Sequence, residues 1–260
     1  MGQIELGILL PAFLAGMLVL STHVPLGQQV LARGIVFIDL AIAQVAGLGV
    51  TAADSIGFEA QGWRVQAAAA LAALLGALLL TWTERKWPEM QEALIGVLFV
   101  LSASVELLLL ANNPRGGEHL KDLLVGQILW VTPISLLPTA LLYMGVLAAW
   151  FLYRPRLGQI GFYVLFAVVV TESVQLVGIY LVFTSLIVPA LAARLYPERI
   201  RLAVGYAVGI AGYVAGLMAS LLFDLPTGAI IVVTLVLAFA AAAVLSRGVA
   251  VEQQPAPRTT

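Results

Sequence analysis

The sequence predicts an all-α, polytopic membrane protein of about eight to nine transmembrane helices. Three observations carry that expectation. Hydrophobic residues make up 62% of the chain and charged residues only 10%. The mean hydropathy is +1.03, where a soluble domain needs far more polar surface. Apolar runs of span length also recur along the chain, separated by charged or Gly/Pro-bearing punctuation. A span takes about 20 apolar residues to cross a core of about 30 Å, so 260 residues leave almost nothing for a soluble domain. Residues 1–250 therefore read as one transmembrane domain, followed by a flexible tail, 251–260, carrying Gln253, Gln254, Pro255, Pro257 and Arg258.

Windows near 19 residues place the spans at roughly 6–32, 35–53, 64–82, 93–111, 123–153, 158–176, 178–195, 202–222 and 226–246. Met1–Glu5 lacks the positive segment of a cleaved signal peptide, so Leu6 onward reads as a retained first span. Pro25 and Gly27 interrupt that run and predict a kink or unwinding around His23. The third span is rich in Ala and Leu between Ala67 and Leu80, small residues that suit close helix packing. The fifth run is too long for one straight helix, and Thr132-Pro133 is its expected break. In the eighth, Gly205 with Gly209 and Gly212 with Gly216 let backbones approach. Trp63, Trp82, Trp87, Trp130 and Trp150 fall mostly near span ends, where amphipathic rings favour the interface.

Short cytoplasmic loops collect Lys and Arg. With nine spans and the N-terminus outside, the inner side receives Arg33, Arg85, Lys86, Arg154, Arg156, Arg194, Arg199, Arg201, Arg247 and Arg258, and the outer side keeps Arg64, Arg115 and Lys121. The expected topology is N-out and C-in, in the cell membrane, the inner one where there are two. A net charge of −1 and scattered basic residues argue against nucleic acid as a partner. The absence of cysteine excludes disulfides, thiolate ligands and a cysteine nucleophile. The chain has no phosphate-loop motif, no zinc-protease motif and no recognisable triad, so it is not expected to be an enzyme; catalytic residues and a permanently bound cofactor are not expected.

Asp39, Glu106 and Glu172 lie inside apolar stretches, whereas all 13 Lys and Arg stand at or near the ends of such stretches. A charge at mid-bilayer costs about 2.5 to 3.5 kcal/mol on insertion scales and faces a cavity, a partner or an ion path. With no buried Lys or Arg, the missing partner is a proton or a transported cation. His23 adds an imidazole nitrogen and Gln44 a carbonyl oxygen, so His23, Asp39, Glu106, Glu172 and Gln44 are the candidate contacts for a transported metal ion. Gln175 shares a helix face with Glu172 three residues away. Blander roles exist for each: a cap or local ion pair near Arg33 for Asp39, a bond to a carbonyl freed by Pro25 for His23, a bond to a neighbouring helix for Glu172, and interhelical bonding for the glutamines. His119, in an outer loop with Glu118 and Asp122, reads more simply as solvated than as a receiver of metal.

Several segments together resemble the permease subunits of ABC importers for divalent transition metals such as zinc, manganese or iron. They are Leu26-Gly27; Val30-Leu31-Ala32-Arg33-Gly34-Ile35 with Phe37; Ala43-Gln44-Val45-Ala46-Gly47-Leu48-Gly49; Glu118-His119-Leu120 with Leu124-Val125-Gly126-Gln127-Ile128-Leu129; and Val177-Gly178-Ile179-Tyr180-Leu181-Val182 followed by Ser185-Leu186-Ile187-Val188-Pro189-Ala190. The resemblance implies a divalent metal ion as substrate, ATP on a separate ATPase subunit, an extracytoplasmic metal-binding protein as donor, a homodimer of the permease, and embedding in lipid.

Two departures stand out. The family's second span carries an Asp and a His four residues apart, and an ungapped alignment places Leu40 and Gln44 there. Asp39 and Gln44, a five-residue step, point about 140° apart on a helix. Either His23 and the buried acids form a rearranged site, or the cargo differs from the usual one. The link between the fifth and sixth spans, where family members carry a short helix docking on the ATPase, is only Tyr153–Gly158, which leaves the loop from Ala193 to Arg201 to share that role. The alternative function is a proton-coupled secondary transporter in which Glu106 and Glu172 carry protons.

Overall fold

The structure, a computed structural model, describes residues 2–58, 62–110, 124, 126 and 128–252. Its helices are α1 (Gly2–Arg33), α2 (Ile38–Ser55), α3 (Trp63–Lys86), α4 (Gln91–Leu110), α5 (Pro133–Val177), α6 (Ile179–Arg194), α7 (Arg201–Phe223) and α8 (Thr227–Glu252). Helix α5 bends at Gly158 (φ 58°, ψ −158°). Its two arms, Pro133–Tyr153 and Leu157–Val177, are separate candidate spans, so the described residues hold nine helical arms matching the expected nine. Seven of these nine arms are long and apolar enough to cross a membrane, and α6 is a shorter apolar helix. The outer loop with Glu118, His119 and Asp122, and residues 253–260 of the tail, lie outside the described residues.

Helix α1 continues through Pro25 where the sequence predicts a kink or unwinding. Proline removes the donor that would bond to the carbonyl four residues back, that of Ser21. The Tyr206 hydroxyl of α7 donates to that carbonyl at 3.0 Å instead. A neighbouring helix thus satisfies the freed group, the usual condition for proline inside a membrane helix. The break expected at Thr132-Pro133 is present: Pro133 opens α5, and Thr132 and Ser135 form a reciprocal capping box.

Small residues set the helix spacing. On α7, Gly205 and Gly209 face Val24 and Leu20 of α1, and Gly212 and Gly216 face Leu235 and Ile231 of α8. One helix thereby packs closely on two others. Gly27 brings α1 against the α6 backbone: a Cβ there would lie 2.0 Å from the Leu186 carbonyl oxygen. Gly178 alone joins α5 to α6 with φ 82° and ψ 161°, a conformation open only to glycine at low cost.

The core is apolar and aromatic, with Tyr143, Tyr163, Tyr213, Phe162 and Phe166 among its largest fully buried side chains. The outside is also apolar: Leu108, Ile134, Leu137 and Leu152 are exposed. A helix bundle bonded within its own backbone and coated with such residues is suited to lipid. Four of the five tryptophans are exposed, but Trp150 is buried and packs 6.0 Å from Phe162, so it departs from the interface pattern. At the basic end of the bundle Gln91 ties three helices: its amide donates to the Leu80 carbonyl at 3.0 Å and to the Tyr163 hydroxyl at 3.4 Å, while Thr83 donates to its carbonyl at 2.9 Å.

Candidate functional site

The site is built on the pairing of α2 with α4. Gln44 and Thr51 are seven residues apart on α2, so they sit within about 20° of each other on one face, two turns apart. Both reach Glu106, near the far end of α4. The Gln44 amide donates to Oε2, and the Thr51 hydroxyl donates to Oε1 at 3.0 Å. Glu106 is 1% exposed, Thr51 2% and Gln44 3%. A carboxylate offers about four lone-pair positions, so two bonds leave Glu106 able to meet a cation as well. The Gln44 carbonyl oxygen is not used in its bond to Glu106.

The other candidates stand apart from this network. Asp39, in the first turn of α2, is 1% exposed, and neither carboxylate oxygen has a hydrogen-bond partner. Helix α2 has no side-chain cap bond, and the Arg33 guanidinium lies over the Phe162 ring at 4.4 Å. His23 is fully buried. Its Nδ1 lies 2.9 Å from the Val19 carbonyl and 3.2 Å from the Thr22 hydroxyl, and its Nε2 has no partner. The carbonyl freed by Pro25 belongs to Ser21, so His23 is not its partner.

Glu172 is half-buried and accepts a bond from Thr139 at 2.5 Å, joining the two arms of α5. Gln175, on the same arm, is exposed. Among the described residues no three His, Asp or Glu side chains group as a metal cage. Of the five candidates, Gln44 and Glu106 are hydrogen-bonded together, while His23, Asp39 and Glu172 have other surroundings. Thr51 escaped the sequence reading, although its seven-residue spacing from Gln44 marks a shared face. A lone threonine in an apolar helix carries no signal until the acid opposite it is known.

The sequence model of the ABC 3 transport family matches residues 5–162 and 153–246. No curated protein matches the chain. Among solved structures, PsaBC from Streptococcus pneumoniae in complex with Fab is similar in fold, with a TM-score of 0.72 at 20% identity, over 95% of this chain and 94% of that chain. A family match running almost end to end, on an all-helical fold that the two proteins share, agrees with the motif resemblance from Leu26 to Ala190. The chain therefore belongs to the ABC 3 transport family and is a membrane permease subunit of an ABC metal importer.

Proposed function

We propose that this permease carries a divalent transition-metal ion past Glu106, with Gln44 and Thr51 as the flanking oxygen donors. The observation that carries the reading is the pairing of Gln44 with Glu106. Gln44 stands where the resemblance puts the family's second-span histidine, and an acid from α4 meets it there. Glutamate, amide carbonyl and hydroxyl oxygens make an exchangeable set, which lets an ion leave as well as enter. Asp39 and His23 are further contacts on the same route, because each has buried polar atoms without a partner, and such atoms lose free energy until a proton or cation meets them.

The partners follow the family. ATP is hydrolysed on a separate subunit, an extracytoplasmic protein delivers the ion, and two copies of the chain enclose the path. The distribution of Lys and Arg supports an outside N-terminus and a cytoplasmic C-terminus. On that side the short 3₁₀ turn Glu198–Ile200, between α6 and α7, is the proposed contact for the ATPase.

The test is uptake of radiolabelled Zn²⁺, Mn²⁺ and Fe²⁺ by the reconstituted complex. Uptake is expected to need ATP and to stop on chelation, and Glu106→Gln is expected to lower it on the order of 10-fold or more, with unchanged membrane insertion. Wild-type uptake in Glu106→Gln removes that acid from the path.

A further inference from the structure

At the basic end of the bundle, α1, α5, α6 and α7 enclose a polar cavity of about 330 Å³. Arg194, at the end of α6, and Arg201, at the start of α7, line it with Gln28 of α1, and Glu198 is the acid among them. Two arginines against one glutamate leave the lining cationic. Arg201 spends its Nε on the Tyr196 carbonyl at 3.1 Å, which orients the guanidinium and leaves its other donors. Arg194 has no ion-pair partner among the described residues and is exposed. Gln28 lines the cavity as well, and its Nε2 is buried without an acceptor.

Phe151, 60% exposed at the end of the first arm of α5, lines the same cavity. Leu152 beside it is 73% exposed. Cationic and amide donors therefore adjoin an apolar outer face at one end of the membrane-spanning bundle. A wholly polar anion uses only the first half of that arrangement. An amphiphile with an anionic head uses both.

We propose that this cavity binds the phosphate of an anionic phospholipid in the leaflet at the basic end of the bundle. Arg194 and Arg201 hold the phosphate oxygens through guanidinium donors, Gln28 donates from within, and the acyl chains lie along Phe151 and Leu152. Pockets of this kind between membrane helices suit anionic headgroups, and the arginine fork matches phosphate geometry.

The experiment measures lipid retained by the purified full-length chain, by native mass spectrometry after incubation with vesicles of phosphatidylcholine alone or mixed with phosphatidylglycerol. Wild type is expected to retain phosphatidylglycerol in preference. Arg194→Gln and Arg201→Gln are each expected to lower that retention about 5-fold. Glu198→Gln is expected to raise it, a direction that misfolding does not produce. Equal retention of the two lipids, or undiminished retention in both arginine variants, overturns the proposal. Inorganic phosphate that displaces phosphatidylglycerol assigns the cavity to a soluble anion instead. Absent lipid preference, with co-purification of the ATPase lost in the arginine variants, assigns it to the protein partner and likewise overturns the lipid reading.

Discussion

Glu106 accepts one hydrogen bond at each carboxylate oxygen, and both donors stand on α2. The bonds cross between helices, so they belong to packing as much as to cargo. Hydrogen bonds between membrane helices contribute on average about 0.6 and at most about 1.7 kcal/mol. A double-mutant cycle of Gln44→Leu and Glu106→Leu, read by unfolding in detergent, is expected to give a coupling in that range. Coupling indistinguishable from zero removes the bond from the native packing. Glu172 contrasts with Glu106 because it is half-buried and bonded within α5 by Thr139. Glu172→Gln keeps an acceptor for that hydroxyl, so metal uptake is expected to change by less than about 3-fold, the equivalent of one such bond. A loss as large as that of Glu106→Gln places Glu172 on the ion route after all.

At the scale of the element, α1 depends on its neighbours for groups it does not satisfy alone. Pro25 leaves the Ser21 carbonyl to Tyr206. Tyr206→Phe is expected to destabilise the bundle by about 1 to 3 kcal/mol, as for a buried acceptor without a donor. Adding Pro25→Ala restores a backbone donor at position 25, so the double variant is expected to recover most of that loss. Failure to recover means that Tyr206 acts through its ring packing and not through the bond. The contact of α1 with α6 is just as specific. Gly27→Ala puts a methyl 2.0 Å from the Leu186 carbonyl oxygen, and since that atom is backbone, the helices must separate. A lower unfolding temperature in detergent and reduced uptake after reconstitution of the same preparation are expected together.

For the whole molecule, an apolar surface around an aromatic core makes lipid the medium in which the bundle is stable. If the proposed function holds and the energy comes from a separate ATPase, the purified permease alone is expected to show no uptake driven by a pH gradient in vesicles. Gradient-driven uptake by the chain alone is the outcome that favours a proton-coupled secondary transporter.

The helical arms were legible in the amino-acid order because a bilayer imposes one rule, about 20 apolar residues bounded by polar or Gly/Pro punctuation, and seven of the nine arms meet it. Pro133 and Gly158 acted locally at the expected boundaries for the same reason, since proline and glycine govern the backbone where they stand. The family was legible through ordered motifs spread over most of the chain. The site was legible only in part. Buried acids announce themselves by composition, but which of them meet is settled by how helices far apart in sequence pack. Glu106 joins Gln44 and Thr51 across separations of 62 and 55 residues, while Asp39, five residues before Gln44, points elsewhere on the same helix. The same limit explains Pro25: the sequence predicts the lost hydrogen bond, and only the packing of α7 supplies the hydroxyl that replaces it. Sequence thus determined the medium, the helical segmentation and the chemistry available, and tertiary structure decided the partners, because a side chain's neighbour across a helix interface depends on rotation and crossing geometry that no local rule contains.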